Sequence, residues 1–167
     1  MAWCHPFPLQ GVTMPEFIYP PRPKGKMNPS DLPYYESTGQ WCVQRKFKGT
    51  RNLIHITPDQ NVSVWNRHYR KHDKFSLNKA MRDEILSLNL KKGTEYWLDS
   101  ELMNKVANPT NEIILYDVLQ AGKYFFAAPD QMGRLEILRE ICGNPEKLCS
   151  TGIALEVTPK IWMAQTW

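Results

Sequence analysis

The chain has 167 residues, 42% apolar and 23% charged, with six tryptophans and seven tyrosines. Such a composition excludes a disordered or fibrous chain and suffices for one domain with its own core. A net charge of +4 favours anionic partners, and no apolar run approaches the about 20 residues of a membrane helix, so no membrane association is expected.

Residues 1–40 read as a proline-rich, basic arm. Pro6, Pro8, Pro15, Pro20, Pro21, Pro23, Pro29 and Pro33 exclude long regular elements, and Arg22, Lys24 and Lys26 supply charge. Phe17, Tyr19, Tyr34 and Tyr35 suit an arm packed across the domain. The early prolines and the lack of an apolar run argue against a signal peptide. Cys4, Cys42, Cys142 and Cys149 match no zinc or redox spacing, so the expectation is a reducing, cytoplasmic setting without disulfides.

The core begins at residue 41. Residues 41–47 and 51–57 read as an antiparallel pair around a Lys48-Gly49 turn, with Cys42 inside the first strand. A turn at Pro58 to Asn61 leads to a third strand, V-S-V-W-N-R. The run from Arg67 to Lys74 holds four Lys/Arg and two His. Leu77, Ala80, Met81, Ile85 and Leu88 recur at helical spacing and predict a helix over 77–90, capped by Ser76 and stopped by Gly93. Residues 95–103 read as a strand with Asp99 and Glu101 on one face, since strand side chains alternate.

After a loop around Pro109, E-I-I-L-Y-D-V-L at 112–119 suits a buried strand, in which Asp117 needs a partner. A short strand is expected at Tyr124 to Ala127, then a helix over 131–142 with Asp130 as cap and Gly143 and Pro145 as stop. I-A-L-E-V at 153–157 and the apolar I-W-M-A close the chain. His55, His68 and His72 show no metal-like spacing.

The stretch with most chemical content is Q-R-K-F-K-G-T-R, residues 44–51. Lys46 precedes a glycine by three places and Arg51 follows it by two. A lysine nucleophile, carboxylates at Asp99 and Glu101, and an aromatic at Tyr116 are the residue types of a nucleotidyl-transfer site. The amine attacks phosphorus in its neutral form, which neighbouring cations favour. Arg, Lys and Mg²⁺ take up the charge that develops on the phosphates.

In order and spacing these elements resemble the superfamily of ATP-dependent DNA ligases, RNA ligases and mRNA-capping enzymes. K-F-K-G-T-R is similar to the K-x-D/N-G-x-R nucleophile motif, W-N-R-H to the segment that follows it, D-S-E-L-M to D-G-E-L, and L-Y-D-V-L to V-F-D. The resemblance runs from about Pro20 to Val157. It implies an α+β fold, with an antiparallel, twisted sheet and packed helices in an ATP-grasp-like adenylation domain, present as a partial domain over 41–167. It also implies ATP and Mg²⁺ as cofactors, nicked DNA (or RNA) with a 5′-phosphate as partner, and action as a monomer.

By the same resemblance Lys46 takes AMP as a lysyl phosphoramidate, Gln44 lies at the adenine, and Arg51 contacts the ribose or phosphates. Glu101 holds the ribose or the metal, Tyr116 stacks on the base, and Arg67 binds phosphate. Departures are also present. Lys48 replaces the acid or amide and would share a face with Lys46, Tyr69 stands at a glycine position and Ser100 at another. The family's E-G-x-V and K-x-K elements and an oligonucleotide-binding domain are not found. An RNA ligase, a guanylyltransferase and a catalytically incomplete nucleic-acid-binding relative are the alternatives.

Overall fold

The apolar alternation of N-L-I-H-I and V-S-V-W builds the first two paired strands of a computed structural model. It describes residues 25–72, 75–104, 112–122, 124–125, 130–149 and 152–167, without the side chains of 124–125. Most of the basic arm, the end of the 67–74 run, the Pro109 loop and the 126–127 end of the expected short strand lie outside the described residues.

The elements are α1 (Leu32–Thr38), β1 (Thr50–Ile56), β2 (Val62–Asn66), α2 (Lys79–Leu86), β3 (Tyr96–Leu102), β4 (Ile113–Ala121), β5 (Tyr124–Phe125), α3 (Gln131–Ile141), β6 (Ala154–Thr158) and β7 (Ile161–Ala164). The chain is α+β. Its sheet runs β2-β1-β3-β4-β7-β6, with β5 paired to β4. The expectation of a purely antiparallel sheet is corrected at one place, where β4 and β7 run parallel through Ile113↔Ile161 and Leu115↔Met163. Both are nearly unbroken apolar runs, as strands buried on both faces must be.

Helix α1 fits the proline-rich arm because Pro33 occupies its first turn, where no N–H is needed, and Gly39 ends it at φ +61°. Helix α2 is shorter than the periodicity predicts. Asn78, not Ser76, caps it by accepting from the Met81 N–H at 2.9 Å. In α3 the expected cap holds, with Asp130 accepting from the Gly133 N–H at 2.7 Å.

Strand alternation sends Ile54, Ile56, Tyr96, Leu98, Leu102, Leu115 and Val118 to the face covered by Met81 and Ile85 of α2 and Leu135, Leu138 and Ile141 of α3. Each such side chain contributes about 1.5–3 kcal/mol by leaving water. Leu53, Trp97 and Leu119 point the other way, with Trp65 and Tyr69 packed on them. That second face continues into a cleft at the β1 N-terminal end.

The expected hairpin of residues 41–47 with 51–57 does not form. Residues 45–47 are in no strand, and Gln44 bridges to Thr166 instead. Val43 and Trp167 exchange backbone hydrogen bonds at 2.9 and 3.0 Å. Strand β1 already has β2 and β3 as neighbours, so no edge remains for residues 41–47. Cys42 accordingly packs against the core from outside a strand.

Candidate active site

Strand β1 starts at Thr50, and its second residue, Arg51, lies opposite Glu101 on β3. Asp99, two residues before Glu101, faces the same side. Between β3 and β4 the register jumps from Asp99↔Asp117 to Ser100↔Leu115, leaving Tyr116 without a partner. Such a bulge re-aims side chains, and here both Tyr116 and Asp117 reach the cleft.

The cleft, about 560 Å³, is lined by Gln44, Arg45, Lys46, Arg51, Arg67, Asp99, Glu101, Tyr116, Asp117 and Gln131. All six residues singled out from the sequence, Gln44, Lys46, Arg51, Arg67, Glu101 and Tyr116, therefore converge on one cavity from four separate stretches of chain. Lys46 is exposed at its mouth, on an irregular segment rather than at the end of a strand.

That segment is held from outside. The Gln44 side-chain amide donates to the Tyr116 carbonyl at 3.2 Å and to the Thr166 hydroxyl at 3.1 Å. The Phe47 N–H donates to the Tyr116 hydroxyl at 3.1 Å, and the Gly49 N–H to Glu101 Oε1 at 2.8 Å. Burial pushes the Tyr116 hydroxyl up to about 12 despite the Phe47 bond, so it stays protonated at neutral pH.

The requirement for glycine at 49 differs from the one read from the sequence. Its backbone is not left-handed; a Cβ there would sit 2.4 Å from the Leu102 carbonyl oxygen and 2.7 Å from Glu101 Cγ. Close approach of the Lys46 segment to β3 excludes any side chain. Lys48 also differs from expectation, since it does not line the cleft beside Lys46. The cations that do are Arg45, Arg51 and Arg67.

Arg51 grips Asp99 through Nε and one terminal nitrogen, and its guanidinium lies 5.9 Å from the Tyr116 ring centroid. Burial raises Asp99 to about 7, and Arg51 pulls the other way. Asp117 has the partner its burial demands, with Arg134 Nε donating to both carboxylate oxygens at 3.0 and 3.1 Å. Arg134 also donates to Gln131 at 2.6 Å. Desolvation raises Asp117 too, against the Arg134 hydrogen bond.

Arg67 sits in a built turn. The Asn66 side chain accepts from the His68 and Arg70 N–H groups at 2.8 and 3.2 Å, and Arg67 Nε donates to His68 at 3.0 Å. Tyr69 adopts φ +56°, the left-handed conformation for which glycine is the usual choice. Its ring packs at 4.9 Å on Trp65, which offsets the strain. Ser100 is likewise accommodated, buried and hydrogen-bonded to both the side chain and the carbonyl of Asn52 at 3.0 and 2.8 Å.

Sequence reasoning missed two cleft residues, Arg45 and Gln131, and did not foresee that Asp99 anchors Arg51. It also left the Asp117 partner unnamed. One signal was available for Arg134, which falls on the apolar stripe of α3 between Gln131 and Leu138, where a cation needs a buried acid.

No protein-family model matches the sequence, and a search of curated proteins finds no match. The cleft's own residues therefore carry any functional conclusion. Among the described residues no three His, Cys, Asp or Glu side chains converge as a metal site, and no helix is long and apolar enough to cross a membrane.

Proposed function

We propose that this chain transfers adenylate from ATP to Lys46 and acts as the nucleotidyl-transfer unit of an ATP-dependent polynucleotide ligase, with DNA the favoured substrate over RNA. What supports the reading is one observation. Gln44, Lys46, Arg51, Arg67, Glu101 and Tyr116, picked out from residue types, spacing and resemblance, line a single cleft together with Arg45.

In this reading neutral Lys46 Nζ attacks the α-phosphorus of ATP. A P–N bond forms, the P–O bond to pyrophosphate breaks, and the amine proton passes to solvent. Arg45, Arg51 and Arg67 face the charge that builds on the phosphates. The Tyr116 ring offers a flat apolar surface to the base. A 5′-phosphate oxygen of a nicked strand then displaces Lys46 from the α-phosphorus, and a 3′-hydroxyl displaces AMP to close the break.

The residues fit Mg²⁺, which takes one or two carboxylates with water and substrate phosphate oxygens. Arg51 already occupies Asp99, so Glu101 would supply the carboxylate, and the ion would neutralise charge on the departing pyrophosphate.

A second reading has a specific observation behind it. Lys48 stands where the motif has an acid or amide and is not among the residues that line the cleft, which suits a relative that binds nucleic acid without catalysis. Incubation with α-phosphate-labelled ATP and Mg²⁺ separates the two. Covalent label lost in Lys46→Ala supports transfer, whereas nucleic-acid binding without label supports the second reading. Competition by unlabelled GTP tests the choice of base.

A further inference from the structure

The backbone around Lys46 has no strand neighbour to hold it. A strand residue is fixed by its ladder; here the N–H groups of Phe47 and Gly49 end on side-chain oxygens. The anchor nearest Lys46 is the Tyr116 hydroxyl, 3.1 Å from the Phe47 nitrogen. The Phe47 ring also tilts against the Tyr116 ring, with centroids 6.1 Å apart. Tyr116 itself is rigidly placed, since it stands at the bulge of β4 and its carbonyl accepts from Gln44.

A phenylalanine at 116 would keep the ring surface and remove only the anchor. Ring and hydroxyl thus make separable contributions, one toward the cleft and one toward the backbone next to the lysine. Nothing in the base-stacking role requires a hydroxyl.

We infer that Tyr116 is a positioning residue for Lys46, its hydroxyl fixing the Phe47 amide and thereby the reach of the lysine into the cleft. The inference rests on the proposed reading of Lys46 as the nucleotide acceptor. It makes the hydroxyl matter for the rate of transfer and the ring matter for nucleotide binding.

The test compares Tyr116→Phe and Tyr116→Leu in the full chain by single-turnover labelling over a range of ATP concentrations, with amide hydrogen exchange at Phe47 measured in parallel. A net hydrogen bond corresponds to about three- to tenfold in rate. Tyr116→Phe is expected to lower the maximal rate by that factor, leave half-saturating ATP within about twofold, and speed Phe47 exchange. Tyr116→Leu is expected to raise half-saturating ATP as well. Unchanged Phe47 exchange in Tyr116→Phe overturns the inference. So does a rate equal to the parent's, or a loss confined to half-saturation. If the parent chain takes no label, the ligase reading fails, and the exchange measurement still decides whether the hydroxyl holds the segment.

Discussion

Asp99 and Asp117 are direct cross-strand partners on β3 and β4, and each grips an arginine, yet the two pairs differ in their access to water. Arg134 and Asp117 are sealed, at 8% and 7% side-chain exposure. Arg51 keeps 35% exposure while Asp99 keeps 4%. Two like charges directly opposite on a sheet repel, so each acid needs its own cation. The sealed pair secures α3 to β4. The open pair leaves a guanidinium edge facing the cleft, already oriented and able to meet an anion. The same chemistry is closed to water in one place and opens to water through its arginine in the other.

The largest expected effect comes from breaking the sealed pair. Arg134→Met leaves Asp117 buried without its cation and should cost about 3–5 kcal/mol, read as a lowered urea midpoint. Replacing both partners, as Arg134→Met with Asp117→Leu, should recover most of that loss, because a well-packed apolar pair needs no compensation. A double variant as unstable as the single one would show that Arg134 acts through Gln131 and not through Asp117.

Breaking the open pair should cost less. Arg51→Met is expected to lose about 1–3 kcal/mol, since the arginine is partly exposed and Asp99 can take up a proton. On the proposed reading the same variant should also lower the labelling rate by about tenfold or more, through loss of a donor toward the phosphates. Equal damage to stability in both single variants would erase the distinction between the pairs.

The pH dependence probes the open pair from the side of its acid. Burial holds the Asp99 pKa above its ordinary value of 3.8, at about 7. The folded state therefore binds more protons than the unfolded chain between those limits. Stability contributed by Asp99 is full below the ordinary value and is lost as pH rises toward about 7, after which it levels. Asp99→Asn should flatten that part of the profile, measured as urea midpoints between pH 4 and 8 relative to the parent, with the raised Asp117 leaving a residual slope of the same sign. A profile unchanged by Asp99→Asn would mean that Arg51 keeps Asp99 ionised throughout.

These pairs also mark where sequence reading stops. The strand carrying Tyr116 was legible as a nearly continuous apolar run, that carrying Asp99 as a short apolar and aromatic stretch, and α3 because its stripe and cap agree. Position 117 announced that it needed a partner, but the partner lies 17 residues on, across a helix whose docking depends on the whole core. The segment around Lys46 looked like half of a hairpin because W-C-V is apolar. Its actual neighbour, Thr166, is 122 residues from Gln44, a pairing no local pattern encodes. The glycine at 49 was read as a turn residue because conformational freedom is the commoner reason for glycine; a backbone 2.4 Å from a missing Cβ is visible only in three dimensions. Gln44, Lys46, Arg51, Arg67, Glu101 and Tyr116 were named from the sequence even though the secondary structure around Lys46 was misjudged, whereas Arg45 and Gln131, which line the same cleft, were not.

The most direct test of Lys46 as acceptor is the site of covalent label. After incubation with α-phosphate-labelled ATP and Mg²⁺, peptide mapping should place acid-labile adenylate on Lys46. The label should persist in Lys48→Ala and vanish in Lys46→Ala. Label on another residue, label retained in Lys46→Ala, or none in the parent chain would contradict the account.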